Sequence, residues 1–122
     1  MSCEFKKNNT FLKRHQEAMK IKQKYSDRIP IIVYKNPSDM NVPDLKKTKY
    51  LVPGDLTVGQ FIFIIRKRIE LKPEKALFIF INNFLPPTAK LMSQIYDEHM
   101  DDDGFLYVVY AGENTFGSEK TT

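Results

Sequence analysis

The sequence predicts an α+β fold with four strands and a packed central helix. Three observations predict it. Apolar residues recur at helical spacing over 11–25, 57–69 and 89–100. The apolar runs at 29–35, 76–81 and 105–110 are short and continuous, as buried strands are. The resulting order is helix, strand, strand, helix, strand, helix, strand, which calls for helices packed on a sheet.

Each element has a local reason. Residues 4–9 predict a short first helix. In 11–25, Phe11, Ala18 and Tyr25 share a face, with Leu12 and Met19 to one side, Ile21 to the other and Lys13, Lys20 and Lys24 opposite. Ile29–Lys35 reads as a strand with Pro30 near its start, where a missing donor does least harm. A polar loop containing Pro37 and Pro43 leads to a second short strand, Lys49–Pro53, which Pro53 ends and places near a sheet edge. Thr57 and Gln60 have capping-box spacing, with Leu56 and Phe61 where a hydrophobic staple falls. Val58, Phe61, Ile62, Ile65 and Ile69 then form a core stripe from which Phe63 and Ile64 depart. Arg66, Lys67 and Arg68 suit the negative end of that helix. Ala76–Ile81 predicts a buried strand. Leu91, Met92, Ile95, Tyr96 and His99 mark the apolar face of the helix at 89–100, and Gly104 suits a left-handed turn after it. Phe105–Tyr110 is the last strand, and the small polar residues 111–122 predict a mobile tail.

The 122 residues bound what the chain can be. A domain of this size exposes roughly 6,800 Å² folded against roughly 21,000 Å² unfolded, so a core forms without disulfides or metal. Hydrophobic content of 42% and charged content of 28% exclude wholesale disorder, collagen and a disulfide scaffold. The single cysteine, Cys3, suits a reducing compartment. The longest apolar runs, Phe61–Ile65 and Ala76–Ile81, fall far short of a membrane span, and the N-terminus has no signal-peptide pattern. A cytoplasmic protein is expected, with its Asn8-Asn9-Thr10 sequon unused. Charge is uneven: residues 1–28 carry net +5, 29–75 net +4 and 76–122 net −5. The basic half suits an anionic partner as well as a merely solvated surface.

Catalytic signals are weak. The chain contains no nucleophile elbow, phosphate-binding glycine loop or zinc-protease helix motif. Cys3 falls in a terminus expected to fray, with no activating neighbour in sequence. His15 and His99 are lone residues at polar boundaries. The acids at Asp97, Glu98 and Asp101–Asp103 lack calcium-loop spacing, because His99 stands where the first acidic ligand belongs. No metal site, cofactor or enzymatic activity is predicted. Basic stretches with interleaved aromatics match no nucleic-acid motif, and nucleic acid is not among the expected partners. The second strand says more. An edge strand offers unpaired backbone groups to an extended peptide, and Lys46, Lys47 and Lys49 would attract acids on it. Core packing with gatekeeper lysines explains the same residues.

Longer blocks carry a resemblance. Lys24-Tyr-Ser-Asp-Arg-Ile-Pro-Ile-Ile-Val33, Lys49–Pro53, Leu56–Phe61, Asn82-Asn83 with Pro86-Pro87-Thr88, Asp103–Tyr107 and Glu113–Gly117 stand in one order over residues 5–117. Together they resemble the autophagy-related protein eight family, the GABARAP-like ubiquitin-like autophagy modifiers. The residue pattern alone admits a β-grasp or another split βαβ fold. The resemblance implies a ubiquitin-like β-grasp with two additional N-terminal helices and a four-stranded mixed sheet. The corresponding division is a helical subdomain at 1–27, a ubiquitin-like core at 28–111 and a flexible tail at 112–122.

The resemblance also implies a function. A cysteine protease would cut after Gly117 and remove Ser118–Thr122. Activating and conjugating enzymes would then join Gly117 to phosphatidylethanolamine, so that the protein is cytoplasmic when free and on the autophagosome membrane when lipidated. Cargo receptors would bind through an acidic, aromatic-x-x-aliphatic peptide beside the second strand. The aromatic pocket falls on Glu17, Ile21, Pro30, Lys49, Leu51 and Phe105. The aliphatic pocket falls on Tyr50, Val52, Pro53, Leu56, Phe61 and Ile64. Arg28, Lys47 and Lys49 would meet the peptide's acids. The basic N-terminal helices are candidates for tubulin or anionic lipid. An unlipidated peptide-binding adaptor in vesicle trafficking is the alternative. Three positions depart from the family pattern: Asn9-Thr10 replaces His-Pro, Thr48 replaces Lys and Tyr34 replaces Glu.

Overall fold

The β-branched run at the start of the core builds the centre of the sheet. In the computed structural model, which describes residues 3–113, β1 (Arg28–Lys35) lies between β2 (Lys49–Pro53) and β4 (Leu106–Ala111). A short strand, β3 (Phe78–Phe80), completes the order β2-β1-β4-β3. The β1–β2 and β3–β4 pairs are antiparallel and β1–β4 is parallel, so the four-stranded sheet is mixed as expected. Gly117 and Ser118–Thr122 lie outside the described residues.

Side-chain alternation then divides the core. Ile29, Ile31 and Val33 of β1, with Tyr50 and Val52 of β2, join the main core. That core also holds Val58, Phe61 and Ile65 of α3 (Val58–Arg68) and Met92, Ile95 and Tyr96 of α4 (Met92–His99). Phe61 and Ile65 are fully buried, each contributing about 1.5–3 kcal/mol of apolar burial. The Thr57–Gln60 capping box forms in both directions, with Gln60 N 3.1 Å from Thr57 Oγ1 and Thr57 N 2.9 Å from Gln60 Oε1. The opposite sheet face carries a smaller cluster of Cys3, Ala18, Ile32 and Phe105 under α1 (Glu4–Asn8) and α2 (Phe11–Lys24).

Several expectations need correction. Cys3 is not in a frayed end: it precedes α1, is buried and packs in the second cluster. Phe5 holds α1 down by an edge contact with Phe105, centroids 5.3 Å apart. The stripe read on α2 is mostly exposed. Phe11, Leu12, Met19 and Tyr25 face solvent and only Ala18 is fully covered. The physical reason is close approach: a Cβ on Gly104 would lie 2.9 Å from Ala18 Cβ, so the small residue sets the seat of α2 on the sheet. Gly104 itself has φ +96°, the left-handed turn its position suggested. The third strand is shorter than 76–81, because Ile81 leaves it to bridge Phe84 across the positive-φ residues Asn82 and Asn83. The helix predicted over 89–100 starts only at Met92; Leu91 caps it, its amide bonded 2.9 Å to Gln94 Oε1. Ala111, placed in the tail by composition and in the core by the resemblance, is the buried last residue of β4. The replaced His-Pro does not erase the break between the first two helices. Thr10 caps α2 instead, its hydroxyl accepting from Lys13 N at 3.2 Å.

Candidate functional site

β2 is the first strand in the sheet order, so one side pairs with β1 and the other has no strand beside it among the described residues. Its alternation serves both faces. Lys49, Leu51 and Pro53 point to the α2 side, while Tyr50 and Val52 enter the main core towards α3.

On the α2 side, Leu51 stands opposite the buried Pro30. Ile21 packs against the cluster of Ala18, Ile32 and Phe105. Lys49 closes this seam: its Nζ lies 2.8 Å from Glu17 Oε2 and 5.1 Å from the Phe5 ring centroid. A cavity of about 580 Å³ continues the seam beside α1, lined among others by Phe5, Ile32, Thr48 and Lys49. On the α3 side, Tyr50 and Phe61 meet edge-on at 6.1 Å and Leu56 packs against the same core. Leu56 and Ile64 also line a cavity of about 620 Å³ that continues past Gln60 and Phe63 to Thr88 and Ala89. Pro53, placed by resemblance with this group, is exposed at the end of β2 on the alternation of Lys49 and Leu51.

The cations do not gather in one place. Lys49 pairs across from Ile32 and Arg28 from Pro53, so they stand at opposite ends of the β1–β2 ladder, about 14 Å apart along it. Lys47 Nζ sits 5.3 Å above the Tyr50 ring, and the Arg28 guanidinium 5.9 Å from the Tyr25 ring. Burial raises the Tyr50 phenol above its ordinary pKa, against an opposing pull from Arg68, and its hydroxyl has no hydrogen-bond partner among the described residues.

The acidic cluster after α4 is already occupied. The buried Asp103 accepts from Arg14 Nη1 at 2.6 Å, from the Tyr107 hydroxyl and from Phe105 N at 2.8 Å. Lys6 Nζ bonds Asp101 Oδ1 at 2.7 Å and lies 4.5 Å over the Tyr107 ring. These contacts tie α1 and α2 to the start of β4. Burial, then the bond to Asp103, drives the Tyr107 phenol far above its ordinary pKa. His99 rests on Phe84, centroids 4.6 Å apart, with Asn82 Nδ2 3.2 Å from its Nδ1. Among the described residues no group of three or more His, Cys, Asp or Glu could hold a metal ion.

Sequence reasoning missed Phe5 as a support for Lys49, because the contact joins α1 to β2 across the fold. It also missed the Thr88–Ala89 wall of the α3-side cavity. Phe63 was legible as a residue off its helix stripe, but nothing local pointed it at that wall.

Comparison with known proteins agrees with this arrangement. The family described as Autophagy protein Atg8 ubiquitin like matches residues 13–117. The chain is 61% identical over 113 residues to Autophagy-related protein 8B of Oryza sativa subsp. indica, covering 93% of this chain and 94% of that protein. It is 59% identical over 121 residues to Autophagy-related protein 8 of Neurospora crassa, covering 99% of each. The crystal structure of Trypanosoma brucei ATG8 matches with a TM-score of 0.87 at 41% identity, covering 93% of this chain and 97% of that one. With two helices ahead of a mixed sheet in the order β2-β1-β4-β3 and this similarity along nearly its whole length, the chain belongs to the Atg8 family of ubiquitin-like autophagy proteins.

Proposed function

We propose that this chain is a modifier conjugated through Gly117 to phosphatidylethanolamine, and that its β2 edge captures cargo-receptor peptides at the autophagosome membrane. The observation that carries the peptide reading is the free edge of β2, with an apolar seam on one sheet face and a cavity near the other. A peptide strand added to that edge sends successive side chains to opposite faces. Residues three apart therefore fall on opposite faces, which is the spacing an aromatic-x-x-aliphatic peptide has. The aromatic side chain suits the Ile21, Leu51 and Phe105 side, and the aliphatic one suits Leu56, Phe61 and Ile64. Lys47 and Lys49 would meet acids before the aromatic residue, and Arg28 an acid nearer the other end.

No helix among the described residues is long and apolar enough to cross a membrane, so attachment through a lipid supplies what the helices do not. In the proposed sequence, hydrolysis after Gly117 frees its carboxylate. That carboxylate attacks the α-phosphate of ATP and releases pyrophosphate. An enzyme thiolate displaces AMP to form a thioester, and the lipid amine displaces the thiol. This chain supplies the acyl group, and the partner enzymes supply the nucleophiles.

Calorimetric titration with an acidic aromatic-x-x-aliphatic peptide tests the groove. The double substitution Tyr50→Ala and Leu51→Ala abolishes binding while the far-ultraviolet circular dichroism is kept. Unchanged affinity in the folded double variant contradicts the assignment.

A further inference from the structure

The loop between β1 and β2 reaches across the end of β4. Asp39 in this loop is 6% exposed, yet among the described residues it has no ion-pair partner. Its carboxylate is spent on backbone amides instead: Oδ2 accepts from Gly112 N at 2.6 Å and Oδ1 from Asn41 N at 2.8 Å. Such charge-assisted bonds make a buried carboxylate tolerable and leave it strongly oriented.

The loop that presents Asp39 is itself braced. Asn36 N donates to Tyr110 O at 2.9 Å, and Asp39 N donates to Asn36 O at 3.0 Å. The Asn36 side chain accepts from Ser38 N and from Ser38 Oγ. The Tyr110 hydroxyl donates to Pro43 O at 2.8 Å and fixes the far end of the loop. Two consecutive residues beyond β4 are held from this loop. Gly112 is gripped by Asp39, and Glu113 Oε1 accepts from Asn41 Nδ2 at 3.1 Å. The fit at Gly112 is close: a Cβ there would stand 2.8 Å from Val42 Cγ1. The obstacle is that contact rather than backbone conformation, because Gly112 does not have the positive φ seen at Gly104.

We infer that the 36–42 loop is a clamp that fixes where the C-terminal tail leaves the body, with Asp39 as its positioning residue, and that the clamp sets how far Gly117 reaches into its processing and conjugating enzymes. This rests on the tail reading proposed above. With the chain held to Glu113, four residue steps span the distance from the anchor to Gly117, a reach of at most about 14 Å. With the clamp open the anchor retreats to Ala111, the last residue paired with β3, and the reach grows to about 21 Å. An enzyme must then order two further residues to place the same glycine. That ordering raises KM by about tenfold or more and leaves the bond-breaking step, and so kcat, unchanged.

The test is steady-state cleavage of the full chain after Gly117 by a purified tail-processing cysteine protease of the pathway, read by mass spectrometry. It compares wild type with Asp39→Ala, Gly112→Ala and the double variant Gly112→Ala with Val42→Ala. Amide hydrogen exchange at residue 112 and affinity for the acidic groove peptide are measured alongside. Asp39→Ala speeds exchange at Gly112 and raises KM about tenfold at constant kcat, with groove affinity intact. Gly112→Ala raises KM in the same way through its contact with Val42, and shortening Val42 restores it. Should Asp39→Ala fail to fold, the Gly112 and Val42 pair decides alone. Normal cleavage of wild type with unaltered KM in the variants overturns the clamp and spares the tail reading. A wild-type chain left uncut after Gly117 overturns the tail reading and the clamp with it.

Discussion

Lys49 Nζ lies 2.8 Å from Glu17 Oε2, and this pair links the free edge of the sheet to α2 across the seam proposed for the aromatic residue. Glu17 therefore competes with an acidic peptide for the same cation. The pair is substantially exposed, so it is worth no more than about 1 kcal/mol. Glu17→Gln should tighten binding of the acidic peptide by up to about fivefold, and Lys49→Ala should weaken it. Raising salt should lower wild-type affinity and lower it less in Lys49→Ala. Equal salt slopes in titrations of the two proteins would make Lys49 a spectator.

The buried Asp103 ties α2, through Arg14, to the segment that enters β4. Asp103→Ala strands Arg14 and leaves Phe105 N and the Tyr107 hydroxyl without their acceptor. Removing one partner of a buried pair costs about 3–5 kcal/mol. Urea denaturation should report a loss in that range. Replacing both partners, with Asp103→Leu and Arg14→Met, should cost less than the single change. A single variant as stable as wild type would show that this network does not hold the helices.

The same region gives a pH dependence. Burial pushes the Asp101 carboxyl upward, but the bonds from Lys6 Nζ and Asp103 N, with the charges of Lys6 and Arg14, outweigh it and hold the pKa below its ordinary 3.8. A depressed carboxylate pKa stabilises the folded state above the ordinary value, and that stability is lost as pH falls through the depressed one. Acid below about pH 4 should therefore loosen α1. Hydrogen exchange at Lys7 N, which bonds Cys3 O at 3.1 Å, should accelerate over that range relative to its intrinsic rate. Asp101→Asn should exchange faster at neutral pH and lose the acid step. A wild-type protein with no acid step in this exchange would refute the tie.

Local signals were legible and distant ones were not. Thr57 and Gln60 announce the start of α3 because both halves of their capping box lie within four residues. The edge position of β2 was legible from Pro53, and the core parity of Tyr50 and Val52 from alternation. The burial of Cys3 was hidden, because it depends on α1 folding over Ile32 and Phe105, far away in sequence. The seat of α2 was hidden for the same reason. Phe11, Leu12, Met19 and Tyr25 carry the apolar signal, yet the contact is made by Ala18 against Gly104. Of the candidate site, the residues on β2 and α3 were readable from pattern. The pairing of Glu17 with Lys49, and the separation of Arg28 from Lys47 and Lys49, needed the strand register and the position of α2.

Attachment of a lipid to Gly117 is the step on which the proposed function depends. Intact-mass spectrometry of the protein recovered from fed and starved cells tests it most directly. The expected result is loss of residues 118–122 and, on a fraction of molecules after starvation, a phosphatidylethanolamine adduct that fragmentation places on Gly117. A full-length tail with no adduct in either condition would contradict it.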